Sequence, residues 1–193
     1  MVVKPLMDAL DYYRIGLQEF DKRVHAVTGD QWNSSTPCTE WNVRDLVNHI
    51  VNEDRWVAPL MVGKTIADVG DSLDGDLLGD DPKRAWDEAR DGALSSVEQP
   101  DALGRVVHLS FGDTRADVYL VQLAVDHAIH AWDLARATGG DERIDPDLVE
   151  FAYLGLEPQV EEWRKAGIFA DEVEVPEGAD RLTQLLAIAG RKA

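Results

Sequence analysis

A single cysteine, Cys38, stands in 193 residues. That excludes an intramolecular disulfide framework and fits a chain kept in a reducing cytoplasm. Basic residues are scarce as well, with 19 Lys and Arg against 37 Asp and Glu and a formal net charge of −18. A surface of that sign repels phosphate backbones and anionic headgroups, so no nucleic acid and no membrane partner is expected. No apolar run approaches the ~18 residues of a membrane span. The opening Met-Val-Val-Lys-Pro-Leu-Met-Asp lacks the basic-then-apolar layout of a signal peptide. Repeats and coiled-coil heptads are missing too. What is present is an ordinary 45% of apolar residues, in a length that suits one domain over residues 1–193 with a substantial core.

The apolar residues follow helical spacing. Leu6, Leu10, Tyr13, Leu17, Phe20 and Val24 form one stripe and predict a helix from about Pro5 to Val27. Residues 31–41 have no period and carry turn formers, so they form a loop. Its two tryptophans and Cys38 imply that it folds onto the body. Asn42 caps a second helix over Val43 to about Leu60, with Leu46, Ile50 and Val57 on its buried face. Six aspartates fall between Asp68 and Asp81; without the ligand spacing of an EF-hand they read as a solvated, mobile connection. Pro82 opens a third helix running to Gln99-Pro100, and Arg105–Phe111 alternates like a short strand. A fourth helix covers Arg115–Thr138 and stops at Gly139-Gly140. A fifth is expected over Pro146–Trp163 and a last one around Leu182–Ala189. This pattern is an all-α bundle with one long crossover connection.

Two helices carry chemistry on the side expected to face the core. At 100° per residue His49 and Glu53 share the buried face of the second helix, where burial without a partner or a metal is costly. On the fourth helix Asp126 and His130 stack one turn, ~5.4 Å, apart, a usual way for one helix to offer two ligands to an ion. The bland reading is a set of core histidines bonded to backbone. The wheel of the fourth helix also puts His127 near the centre of its inner face and Asp126 and His130 toward an edge. Spacing alone therefore leaves His127/His130 as a rival pair.

Three segments occur together: Cys38-Thr39-Glu40-Trp41-Asn42-Val43-Arg44-Asp45-Leu46-Val47-Asn48-His49, then Asp126-x-x-x-His130-x-Trp132-Asp133-Leu134-Ala135-Arg136-Ala137-Thr138-Gly139, and the terminal Arg181-Leu182…Ala189-Gly190-Arg191. In these the chain resembles the actinobacterial branch of the DinB/YfiT-like superfamily, related to the metal-binding domain of mycothiol-dependent maleylpyruvate isomerase. The resemblance spans nearly the whole chain. It implies a DinB-like four-helix bundle, here with extra C-terminal helices, and a divalent metal, zinc first and nickel second. It also implies His49, Asp126 and His130 as the ligands, which favours His130 with Asp126 over the His127 pair. Asp126 stands where the isomerase pattern has glutamate. Roughly 50 residues follow the fourth helix, fewer than the additional C-terminal domain of the isomerase, so isomerase activity itself is not expected to carry over unchanged.

Two histidines and a carboxylate leave an open position on zinc, able to activate a thiol or a water. The resemblance favours a transferase or isomerase that uses mycothiol as a metal-held thiolate. The alternatives are a metal-dependent hydrolase and a non-catalytic metal-binding or interaction domain. Glu53 is the candidate general base. Arg136, with Arg55, is the candidate contact for an anionic thiol cofactor. Asp133 either orients His130 or caps a neighbouring segment, Cys38 is a packing or redox residue, and Trp41 and Trp132 wall the site or fill the core. A cytoplasmic homodimer acting on a small-molecule or thiol substrate completes the expectation.

Overall fold

The computed structural model describes residues 7–193. Pro5 and Leu6, where the first predicted helix begins, lie outside them; the helix observed, α1, runs Ala9–Ala26. Asp8 caps it, its carboxylate accepting from the Asp11 amide. Tyr13, Leu17, Phe20 and Val24 are fully buried, as their spacing requires. The next helix, α2 (Val43–Met61), starts from Asn42 through the same kind of reciprocal cap with Asp45. One turn follows as α3 (Ile66–Val69), and then α4 (Pro82–Val97) opens with proline in its first turn. The alternating segment is one arm of a hairpin, β1 (Val106–Leu109) paired antiparallel with β2 (Gly112–Arg115), Val106 opposite Arg115 and Leu109 opposite Gly112. The second strand, GDTR, carries no apolar alternation and is not foretold by pattern.

The longest helix, α5 (Ala116–Thr138), ends where Gly139 takes a left-handed conformation, φ 69°. The single helix expected over Pro146–Trp163 is instead two, α6 (Pro146–Leu156) and α7 (Val160–Lys165). Pro158 sits in the break because it offers no N–H to continue the ladder. A final helix, α8, spans Arg181–Ile188.

The fold is mostly helical. α1 packs along α5 and α2 along α4, while contacts of α2 with α5 and of α1 with α4 close a ring of four. α6 covers another side of α5, and α8 packs on α6. The core joins Tyr13, Phe20, Ile50, Trp86, Leu120, Trp132 and Leu134, each contributing about 1.5–3 kcal/mol by burial. From Leu123 to Ala135 only Asp126 escapes full burial. A helix covered on so many sides has no single apolar stripe. That is why the wheel of this segment did not choose between histidines.

The aspartate-rich connection is not a free solvated loop. Asn48 donates to Gly75 O and accepts from the Leu77 amide, Asn52 donates to Leu73 O, and Arg44 pairs with Asp76 at 2.8 Å. Leu78 is buried. The polar outer face of α2 thus holds the connection against the body.

Candidate metal centre

The side chains of interest come from the contact between α2 and α5. His49 Nε2 lies 3.0 Å from Asp126 Oδ2, and His130 Nε2 lies 3.4 Å from Asp126 Oδ1. The carboxylate thus gives one oxygen to each imidazole. One donor atom from each of the three residues falls within 4.8 Å of the others. Two nitrogens and a carboxylate oxygen so disposed are a donor set of the kind that holds a divalent metal ion.

Charge balance agrees with the geometry. Burial works to raise the Asp126 pKa, but the His130 and His49 imidazoles outweigh it and hold the carboxyl well below the usual range. Burial works to lower His130, yet Asp126 and Asp133 outweigh it and raise the imidazole well above its ordinary value. The pocket between these groups favours positive charge, carried by a proton or by a metal.

His130 is held from behind. Its Nδ1 lies 3.0 Å from Asp133 Oδ2; an ionised carboxylate only accepts, so Nδ1 carries a hydrogen. Nε2 is left to face Asp126, protonated when the ring is charged and free to ligate only when that proton is displaced. Asp133 is fully buried. It also accepts from Arg191 Nη2 at 3.1 Å and from the Cys38 thiol at 3.4 Å. Burial would raise its pKa, but His130 and Arg191 keep it low.

The loop before α2 closes the remaining side. Thr36 Oγ1 accepts from the Cys38 amide and donates to Trp41 O, and Ser35 bridges to Asn42. This turn lays the Trp41 ring 4.9 Å from His49 and 5.8 Å from His130. Trp41 therefore walls the site, whereas Trp132 is a buried core residue. Glu53, one turn beyond His49, is half-buried, and burial followed by the Asp126 charge pushes its pKa up to about 7. Among the described residues none donates a hydrogen bond to it. Arg136 points elsewhere: its guanidinium lies over Trp132 at 4.9 Å and pairs with Glu142 at 3.2 Å. The cation that touches this cluster is Arg191.

His127 belongs to a second, separate cluster. Its Nδ1–H donates to Leu123 O at 2.8 Å, and its Nε2 meets Asp54 Oδ2 at 3.2 Å. Tyr13 donates to the other oxygen of Asp54 at 2.5 Å. Both His127 and Asp54 are sealed from solvent. Burial works against a charged His127, but Asp54 outweighs it and raises the pKa. Sequence reading did not single out Asp54, although its spacing after Ile50 and before Val57 puts it on the buried stripe. The sequence marks Arg191 only as the end of its terminal motif. A third grouping, Asp21, His25 and Asp87, lies at the α1–α4 surface and is bridged by Arg90.

The fold and this site define a helical domain of a known family. The family model described as "Mycothiol maleylpyruvate isomerase N-terminal domain" matches residues 13–135, and the chain belongs to that family. Among solved structures it is similar to the crystal structure of the mycothiol-dependent maleylpyruvate isomerase, at TM-score 0.63 and 15% identity, covering 85% of this chain and 72% of that one. A histidine-to-alanine mutant of the isomerase matches with the same TM-score at 14% identity. The uncharacterized protein Rv0738 of Mycobacterium tuberculosis (strain H37Rv) is 28% identical over 187 residues, 96% of this chain and 98% of its own. Its counterpart in strain CDC 1551 gives the same figures.

Proposed function

We propose that this protein binds one divalent metal ion, zinc or nickel, through His49, Asp126 and His130. We further propose that it is a thiol-dependent transferase or isomerase whose co-substrate is mycothiol. The observation that carries the metal reading is the Asp126 carboxylate facing both histidine Nε2 atoms, that of His130 one turn along α5 and that of His49 across on α2. Family membership supports the choice of thiol.

When bound, the ion supplies Lewis acidity that favours the deprotonated form of a thiol or water in its open position. The chain does the rest. Asp133 fixes the His130 ring so that Nε2 faces the centre. Trp41 covers the two imidazoles and excludes water from that side. Glu53, with its pKa near 7, is suited to take a proton from an incoming thiol and return it to product. The same carboxyl serves equally well for water, and this favours a metal-dependent hydrolase as the second reading. Cytoplasmic location and a homodimeric state are part of the proposal; exposed Phe111, Leu154 and Ile168 offer apolar surface for self-association.

The test is metal analysis of the purified protein and its variants. Wild type and Asp126→Glu should hold about one equivalent of metal, while His49→Ala and His130→Ala should lose it, because two remaining ligands seldom retain zinc. Retention of metal by both histidine variants refutes the ligand set. Thermal shifts of the metal-loaded protein with mycothiol, and none with non-thiol analogues, separate the thiol reading from the hydrolase.

A further inference from the structure

The C-terminal segment is short and irregular, yet it delivers a guanidinium into the interior. Gly190 makes the final bend at φ 78°, and a Cβ there would lie 2.8 Å from Ala170 Cβ and 3.1 Å from Ala170 O. Only glycine meets both conditions. The Arg191 amide then donates to Leu186 O at 2.7 Å, and the side chain turns inward with 11% of its area exposed. Nη2 reaches Asp133 Oδ2 at 3.1 Å and Cys38 Sγ at 3.3 Å, while Nη1 donates to Ala189 O at 2.6 Å. The face of Phe169 lies 5.8 Å from its guanidinium carbon. Surface arginines seldom contribute this much ordered contact; here the charge is taken from water to meet one carboxylate.

That carboxylate, Asp133, is the group that holds His130. Among the described residues no other Lys or Arg bonds Asp133, so without Arg191 it would keep only the His130 imidazole and the Cys38 thiol as side-chain donors. We infer that Arg191 is a positioning residue for the metal centre: it locks Asp133, and through Asp133 it sets the orientation in which His130 presents Nε2. This rests on the ligand set proposed above. The terminal strap is thereby part of the site, although it touches none of the three proposed ligands.

The experiment measures zinc affinity by competition with a chromophoric chelator, and the visible spectrum of the cobalt-substituted protein, for wild type, Arg191→Met, Arg191→Lys, Asp133→Asn and the Arg191→Met/Asp133→Asn double variant. Arg164→Met is the control. Arg164 anchors the same segment by donating to Ile188 O at 2.7 Å but makes no contact with Asp133. Loss of an outer partner of a ligating histidine typically weakens metal binding about 10–100-fold, and that loss with an altered cobalt spectrum is expected for Arg191→Met. Arg191→Lys, which keeps the charge without the fork, should fall between it and wild type and carries the test if the methionine variant does not fold. The double variant should be no weaker than Asp133→Asn alone, since both remove one chain of contacts. Unchanged affinity in Arg191→Met, an equal loss in Arg164→Met, or fully additive losses in the double variant overturns the inference. Failure of wild type to bind a stoichiometric ion is a different result, and it overturns the ligand set instead.

Discussion

Replacing His127 by alanine separates the two histidine clusters of α5. From spacing alone the change removes one buried side chain, at about 1–3 kcal/mol. The structure raises that figure. His127 is sealed from solvent together with Asp54, and the substitution removes the contact at Asp54 Oδ2 while leaving Tyr13 as the donor to the other oxygen. Breaking a buried pair from one side costs about 3–5 kcal/mol, because the remaining charge has no counterpart. For a chain of this size that corresponds to a fall in Tm of about 6–20 °C. Urea and thermal unfolding of metal-free protein give the number, and metal analysis of the folded variant gives the second readout. The expected outcome is a large loss of stability with the metal equivalent unchanged. Removing every partner, as Asp54→Leu and His127→Leu together with Tyr13→Phe, should recover most of the loss, since the apolar set leaves neither a buried charge nor an orphaned hydroxyl. A stability loss below about 1 kcal/mol would show that the pair contributes little. Loss of metal in a stably folded His127→Ala would make His127 a ligand and refute the assignment of two separate clusters.

Other outcomes follow from the same geometry. Glu53 has its folded pKa raised from 4.5 to about 7, so its contribution to stability is present below ~4.5 and is lost as pH rises through ~7. Metal-free protein should therefore weaken across that window. Glu53→Gln should flatten the profile, and an identical profile in wild type and variant contradicts the shift. Metal affinity should fall as pH drops, starting above the ordinary imidazole value of ~6.5 because Asp126 and Asp133 raise the His130 pKa well beyond it; chelator competition at several pH values checks it. Excising residues 70–79 should cost at least about 2 kcal/mol, because it removes the burial of Leu78 and the bonds made by Asn48 and Asn52; an unchanged urea midpoint would restore the picture of a free loop. The proposed homodimer should give twice the chain mass in light scattering at micromolar concentration, and a monomer mass removes it.

Much of the architecture was legible because helices declare themselves locally. Asn42 caps a helix through a bond to the residue three positions on and Pro82 marks the first turn of another, and the stripes of α1 and α2 repeat at the helical period. Pro158 marks the break between α6 and α7, while the apolar residues on both sides of it keep helical spacing. The second hairpin strand had no pattern to betray it.

His49, Glu53, Asp126 and His130 stood out because each is a polar group where a helix is expected to be buried or to offer paired ligands. The resemblance supplied their grouping, and spacing could not, since α5 is enclosed on several sides and presents no single inner face. Local sequence determines the helices and the polar residues each one carries inward. Which of those residues meet depends on the angle and offset between α2 and α5, and on a strap that returns from position 191 to Asp133. Those are long-range contacts set by packing of the whole core. No periodicity within one segment encodes them.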